Sequence, residues 1–254
     1  MTRYLYRFGA GEADGRGDQK KLLGGKGAGL AEMNLLGIPV PPGFTLTTEV
    51  STFFDQNGEE YPPTLDESVE AALVRVGELT ESAFGSEESP LLLSVRSGAP
   101  VSMPGMMDTV LNLGLNDKTV LALAEKTNDL RFAYDCYRRF VAMYGDVVLG
   151  VTAESEYEES PFAKILFETK EKLGIERDYD LSAEDLKGII TKFKIVILER
   201  TDQPFPEDPK EQLWGAITAV FKSWNNPRAE VYRRIHRISD KMGTAVSVQA
   251  MVFG

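Results

Sequence analysis

The amino-acid sequence predicts an α+β fold in which a long helical stretch interrupts a strand-bearing region. Three observations point there. Runs suited to strands occur at Pro90 to Val95 (PLLLSV) and at Thr244 to Phe253 (TAVSVQAMVF). From Asn116 to about Arg200 the chain carries successive helical patterns with almost no strand signal. A glycine cluster, Gly24 to Gly29, runs directly into another helical pattern. The expected organisation is a first subdomain over residues 1–115, a helical subdomain over 116–200, and a return to the first subdomain over 201–254.

Taken in order, Leu22 to Leu36 (LLGGKGAGLAEMNLL) reads as a flexible glycine loop feeding a helix, with Leu30, Met33 and Leu36 on related faces and Gly37 as its stop. Ile38 to Thr47 (IPVPPGFTLT) is a proline-stiffened connector leading into a short strand. Thr64 to Glu67 (TLDE) has the spacing of a capping box, and Val69, Leu73, Val76 and Leu79 then recur at helical intervals. The apolar run to Val95 reads as a buried strand that ends by delivering Arg96 and Ser97 to a cleft. Ser102 to Asp108 (SMPGMMD) reads as a loop. Asp129 to Leu149 is the best helix of the middle region, and its face carries Leu130, Tyr134, Tyr137, Val141, Tyr144 and Val148. Ser182 with Asp185, and Asp208 with Glu211 around Pro209, mark two further helix starts, and Asn226-Pro227 marks another.

Composition removes several function classes. The chain has 254 residues, 39 acidic against 28 basic side chains and a formal net charge of −11, with Lys and Arg scattered along it. The stripe of cations that neutralises a nucleic-acid backbone is missing, so nucleic acid is not an expected partner. No apolar stretch reaches the length of a membrane span, and the N-terminus lacks the apolar core of a signal peptide, so no membrane is expected either. Cys136 is the one cysteine, which leaves no intrachain disulfide and fits a reducing, cytoplasmic setting. His236 is the one histidine, so neither a histidine metal cluster nor a Ser-His or Cys-His triad is indicated.

Two features could carry chemistry. In Gly24-Gly25-Lys26-Gly27-Ala28-Gly29 the glycines free backbone N–H groups beside a cation at a helix start, the combination a polyphosphate needs. The Walker A spacing is absent, because Gly27 follows Lys26 where Ser or Thr would be required, and the same residues also suit a turn with a solvated lysine. Arg96 beside Ser97 and Gly98 can present a planar fork to phosphate oxygens or form an edge ion pair. Met103, Met106 and Met107 suit either an adaptable wall or core gap-filling. Asp108 could ligate Mg²⁺ or cap its loop; the acidic run Glu154 to Glu159 reads as a solvated face.

Read together, KLLGGKGAGLAEM, GIPVPPGFTLTTE, SVRSGA, SMPGMMDTVLNLGLND, RFAYDCYRRF, WNNPRAEVYRR and GTAVSVQAMVFG resemble, in order and spacing, the N-terminal region of the pyruvate phosphate dikinases. SMPGMMDT with NLGLND separates the chain from the related phosphoenolpyruvate synthases, which share its front end. The resemblance implies an ATP-grasp-type N-terminal subdomain with an inserted helical subdomain, in which Lys26 and Arg96 contact the ATP phosphates. It makes Gln249, Met251 and Val252 candidates for a hinge along the adenine. The implied cofactors are ATP and Mg²⁺. The implied activity is phosphotransfer with paired acceptors: ATP, phosphate and pyruvate give AMP, pyrophosphate and phosphoenolpyruvate through a phosphohistidine on a separate central domain. Homo-oligomerisation of a full-length enzyme stays open.

Two departures from the family pattern follow. A basic residue expected after SVRSGA is replaced by Pro100, which removes a charge near the phosphates. The acidic pair, Gln and Arg that complete the family's nucleotide and metal site are expected beyond Gly254, so no catalytic residue and no metal ligand is assigned here and the chain alone is expected to be inactive. The alternative is a stand-alone module that binds a nucleotide or a partner without turnover.

Overall fold

The structure, a computed structural model, describes residues 2–155 and 158–253, so Glu156 and Tyr157 of the acidic run, with Met1 and Gly254, lie outside the described residues. The chain divides into two compact units, Met1–Phe84 with Leu91–Leu111 and Ile217–Gly254, and Gly85–Pro90 with Asn112–Ala216. Among the described residues no helix is long and apolar enough to cross a membrane.

The first unit is built on a sheet. Its strands are β1 (Leu5–Gly9), β2 (Glu12–Ala13), β3 (Gly43–Leu46), β4 (Leu93–Gly98), β5 (Thr109–Leu113) and β6 (Ala245–Ala250), in the order β2-β1-β3-β6-β4-β5. The last strand in sequence therefore lies between β3 and β4, antiparallel to both. Residues paired across antiparallel strands point to the same side, so the register assigns each side chain to a face. One face carries Leu5, Leu46, Val246 and Ser97, then Phe44, Val248 and Val95. All of these are buried. The other face carries the row Tyr6, Thr45, Ser247 and Arg96, and beside it Phe8, Gly43, Gln249 and Ser94. Thr45, Ser247, Ser94 and Gln249 are also buried, so this second face is a polar seam inside the unit.

Helix α1 (Lys20–Leu35) lies on the polar seam. A Cβ on Gly27 would meet Cγ2 and Oγ1 of Thr45 at 2.8 Å, and a Cβ on Gly15 would meet Leu23 at 2.4 Å and Tyr6 at 3.5 Å. The sequence reading of a flexible loop from Gly24 to Gly29 is corrected here: Gly25 to Gly29 are already helical, and only Gly24, at φ 67° and ψ 170°, leaves the helix. The reason is close approach rather than flexibility. A Cβ on Gly24 would lie 1.6 Å from the carbonyl oxygen of Gly98, and the neighbouring Gly25 N–H donates to the Ala99 carbonyl at 2.9 Å. At its far end α1 closes as expected from Gly37, whose N–H donates to Asn34 while that of Ile38 donates to Met33, a Schellman pair with Gly37 at φ 78°.

Helices α2 (Thr48–Gln56) and α3 (Leu65–Thr80) pack against the sheet. The capping box at Thr64 does not form. Thr64 is left-handed, at φ 67°, where its hydroxyl cannot take the N-cap position, and the turn is held instead by the Leu65 N–H donating to Pro62. The β1–β2 hairpin, α2 and β5 are elements that the periodicity did not mark, each being nine residues or fewer.

The second unit is helical, as the middle of the sequence predicts: α4 (Thr119–Thr127), α5 (Leu130–Val147), α6 (Pro161–Leu173) and α7 (Ala183–Thr201), followed by α8 (Pro209–Ser223), which continues into the first unit before α9 (Pro227–His236). The Asp129 carboxylate accepts from the Phe132 N–H, and Ser182 and Asp185 make the reciprocal capping box. The Asp208 carboxylate accepts from the Lys210 N–H at 3.0 Å. The aromatic face of α5 is core: Tyr144 and Phe140 both meet Phe205 edge-on, with centroids 5.6 and 5.7 Å away. Gln212, fully buried, accepts from the Gly114 N–H and donates to the carbonyls of Leu115 and Pro206, which closes the ends of this unit without an unmet polar group on that side chain.

Replacing Gly24 tests the seat of α1. Gly24→Ala puts a methyl group against the Gly98 carbonyl at a left-handed φ, and unfolding by urea is expected to show a loss of more than about 2 kcal/mol. A loss below about 0.5 kcal/mol, the range of a neutral surface change, would mean that α1 does not rest on β4 in this way.

Candidate functional site

Lys26 and Arg96 come together on the polar face of the sheet. Arg96 is held inside β4, paired with Ser247 of β6, as the reading of a strand that delivers Arg96 and Ser97 at its end expects; β4 continues through Gly98 because β6 supplies its ladder partners as far as Ala245. Lys26 is the second residue of the resumed helix, and its Cβ is 3.7 Å from the point a Cβ on Gly98 would occupy, two residues along β4 and on the same face as Arg96. The two cations are near enough for Arg96 to lower the pKa of Lys26, although desolvation by the surrounding protein is the larger cause. Neither side chain makes an ion pair or hydrogen bond with another side chain among the described residues. Some other cations of the chain are paired, such as Arg7 with Asp14, Arg138 with Asp135 and Arg233 with Asp240.

The arrangement offers an unmet demand for negative charge. Two like charges share one face, the backbone around them is glycine, and a planar guanidinium and a point-charge ammonium converge from strand and helix. An oxyanion group bound between them would relieve their mutual repulsion. Thr45 and Ser247, joined at 3.3 Å between hydroxyls, lie directly beneath and beside the pair and carried no signal in the sequence beyond alternation.

The hinge candidates fall at the end of β6. Gln249 belongs to the strand, and its amide donates to the Pro41 carbonyl at 3.0 Å. The Met251 N–H donates to Leu92 at 2.8 Å. Val252 is exposed and makes no hydrogen bond among the described residues.

The remaining residues are structural. Met103 is buried with Ala99, Trp224 and Ala229, and Met106 and Met107 pack against that cluster, so the methionines fill a core gap. The Asp108 carboxylate accepts from Asn226 at 3.4 Å and faces Arg228 at 3.9 Å, which ties it to the start of α9. Among the described residues no group of three or more His, Cys, Asp or Glu side chains is placed to hold a metal ion. Burial pushes the Cys136 thiol up to about 11, so it stays protonated at neutral pH and is no nucleophile. His236 ends α9 with its ring stacked on Tyr232, centroids 4.1 Å apart. Pro100 follows the Ala99 that receives the Gly25 N–H, and it leaves that position without charge.

The mixed fold presents two cations, without side-chain partners among the described residues, from a glycine-rich helix and a neighbouring strand. The chain belongs to the family described as pyruvate phosphate dikinase, AMP/ATP-binding domain, whose model matches residues 20–81 and 58–254. It is similar to the pyruvate, phosphate dikinase of Rhizobium meliloti (strain 1021), at 52% identity over 254 residues, and to that of Clostridium symbiosum, at 50% over 255 residues. Each match covers 100% of this chain and 28% of the relative. The chloroplastic pyruvate, phosphate dikinase of Flaveria trinervia is 50% identical over 250 residues, 98% of this chain and 26% of the relative. The chain thus spans little more than a quarter of the length of these curated relatives.

The charge state of Lys26 yields a test with a definite sign. Its folded pKa lies below the unfolded value of 10.5, so the fold carries a charge penalty at neutral pH that is relieved as pH rises through the folded pKa towards 10.5. Lys26→Met is therefore expected to raise the denaturation midpoint at pH 7 relative to the wild type, with the gain shrinking as pH rises from neutrality towards 10.5. A gain that is flat across that range would remove Lys26 from this electrostatic pair.

Proposed function

We propose that this chain is an ATP-grasp-type nucleotide-binding unit, with the helical middle inserted into it, and that Lys26 and Arg96 hold the phosphates of ATP. The observation that carries this is the pair of cations without carboxylate partners on one sheet face, in a chain of net charge −11. Phosphoryl transfer spreads negative charge over the oxygens of the transferred group, and catalysis rests mainly on positioned cations and preorganised dipoles. Lys26 supplies a point charge and Arg96 a two-pronged donor, and each can follow that charge without reorganising.

Of the three hinge candidates, Val252 is the one whose backbone we assign to the adenine edge, because the Gln249 carbonyl accepts from the Ser94 hydroxyl and the Met251 N–H is already engaged within the fold. Mg²⁺ would accompany the phosphates; among the described residues no group of three or more His, Cys, Asp or Glu side chains is placed to hold it, and the charge neutralisation assigned to this chain's own residues is that of Lys26 and Arg96. In a longer protein such as the relatives, the unit would serve the conversion of ATP, phosphate and pyruvate to AMP, pyrophosphate and phosphoenolpyruvate, by way of a histidine on another domain. The lone, inert cysteine suits a reducing cytoplasm. A stand-alone binding module uses the same two cations and differs in turnover.

The test is ATP binding by calorimetry. Lys26→Ala and Arg96→Ala are each expected to weaken ATP about tenfold or more, the effect of losing one charge-assisted hydrogen bond, with far-UV circular dichroism unchanged. Unaltered ATP affinity in both variants would overturn the assignment.

A further inference from the structure

Lys26 and Arg96 belong to different elements, so their spacing depends on what sets α1 at its height above the sheet. On the β4 side the seat is backbone: Gly24 lies against Gly98, and the Gly25 N–H bonds to Ala99. On the other side it is side chain. Gly27, next to Lys26, lies over Thr45, whose Cγ2 and Oγ1 leave no room even for a methyl group. Thr45 is joined by its hydroxyl to Ser247 at 3.3 Å, and Ser247 is the residue directly across the ladder from Arg96. Thr45 and Ser247 are each 1% exposed, so neither has water to bond in place of the other. One row across three strands thus runs from the contact beneath Lys26 to the neighbour of Arg96.

We propose that Thr45 and Ser247 are positioning residues for this site, a hydroxyl pair that fixes the separation of Lys26 and Arg96 and so matches it to a polyphosphate. The inference rests on the assignment of those two cations to phosphate. Neither hydroxyl touches the ligand. The backbone ladder spaces β3 and β6; the hydroxyl bond fixes the Thr45 side chain on which Gly27 rests, and removing it lets the helix and its lysine move relative to the guanidinium by tenths of an ångström.

The experiment uses the 254-residue chain, inorganic tripolyphosphate as the probe and calorimetry as the readout. Thr45→Val keeps the shape of the side chain and removes the hydroxyl; Ser247→Ala removes the partner. Each is expected to weaken tripolyphosphate about fivefold, the scale of one lost hydrogen bond, and Thr45→Ser and Ser247→Thr are expected to restore it. In ¹³C-dimethylated protein, Thr45→Val and Ser247→Ala are also expected to move the Lys26 titration midpoint, which lost stability elsewhere in the sheet would not do. If Lys26→Ala weakens tripolyphosphate while Thr45→Val and Ser247→Ala do not, the positioning role is overturned and the phosphate assignment stands. If Lys26→Ala and Arg96→Ala leave tripolyphosphate affinity unchanged, the phosphate assignment fails. The Lys26 titration then decides the pair by itself, an unmoved midpoint in Thr45→Val and Ser247→Ala overturning it.

Discussion

The contact on which the first unit depends is backbone against backbone: Gly24 of α1 laid on the Gly98 carbonyl at the end of β4. Any side chain at Gly24 would occupy the same space as that oxygen, so the helix could not descend onto the sheet. Descent brings Gly27 onto Thr45 and places Leu23 beside Tyr6 and Gly15, and it buries a row of hydroxyl and amide side chains that would otherwise face water. Burying such groups is tolerable only when they bond to one another, which Thr45 and Ser247 do, as do the Ser94 hydroxyl and the Gln249 amide with backbone carbonyls. Close approach and polar satisfaction are therefore one arrangement seen from the helix and from the sheet.

The same descent creates the site. A lysine carried on a more distant helix would be fully hydrated and far from Arg96; here it is partly desolvated and within the reach of a second positive charge, and its pKa falls for both reasons. A protein with 39 acidic side chains has ample carboxylates to quench two cations, yet the described residues place none beside them. Lys194 in the helical unit is the contrasting case, a partly buried lysine neutralised by both Asp117 and Glu207. Leaving a cation pair unneutralised costs stability, and an anionic ligand recovers it on binding.

The helical unit solves a different problem. Its core is aromatic and edge-packed, with Gly145 allowing Phe162 to come within 2.4 Å of the point where a Cβ would be, and its polar hub is the single amide of Gln212. Helices of this kind make their hydrogen bonds internally, so their periodicity is strong and their ends are set by local caps such as Ser182 with Asp185.

That difference explains what was legible. The sequence by itself determined the helical middle, the starts at Asp129, Ser182 and Asp208, the stop at Gly37 and the β3 and β6 strands, because each follows from residues within a few positions of one another. It also singled out Lys26 and Arg96, through residue type and neighbours. The long-range contacts settled that β6 lies between β3 and β4, that Thr64 adopts a left-handed conformation in place of a cap, and that the glycine cluster is a seat rather than a loop. Each of these turns on a partner far away in the chain: Ser247 is 202 residues from Thr45, and Gly98 is more than 70 from Gly24. Local periodicity carries no information about which surface a glycine must touch, and that surface is what brings the two cations together.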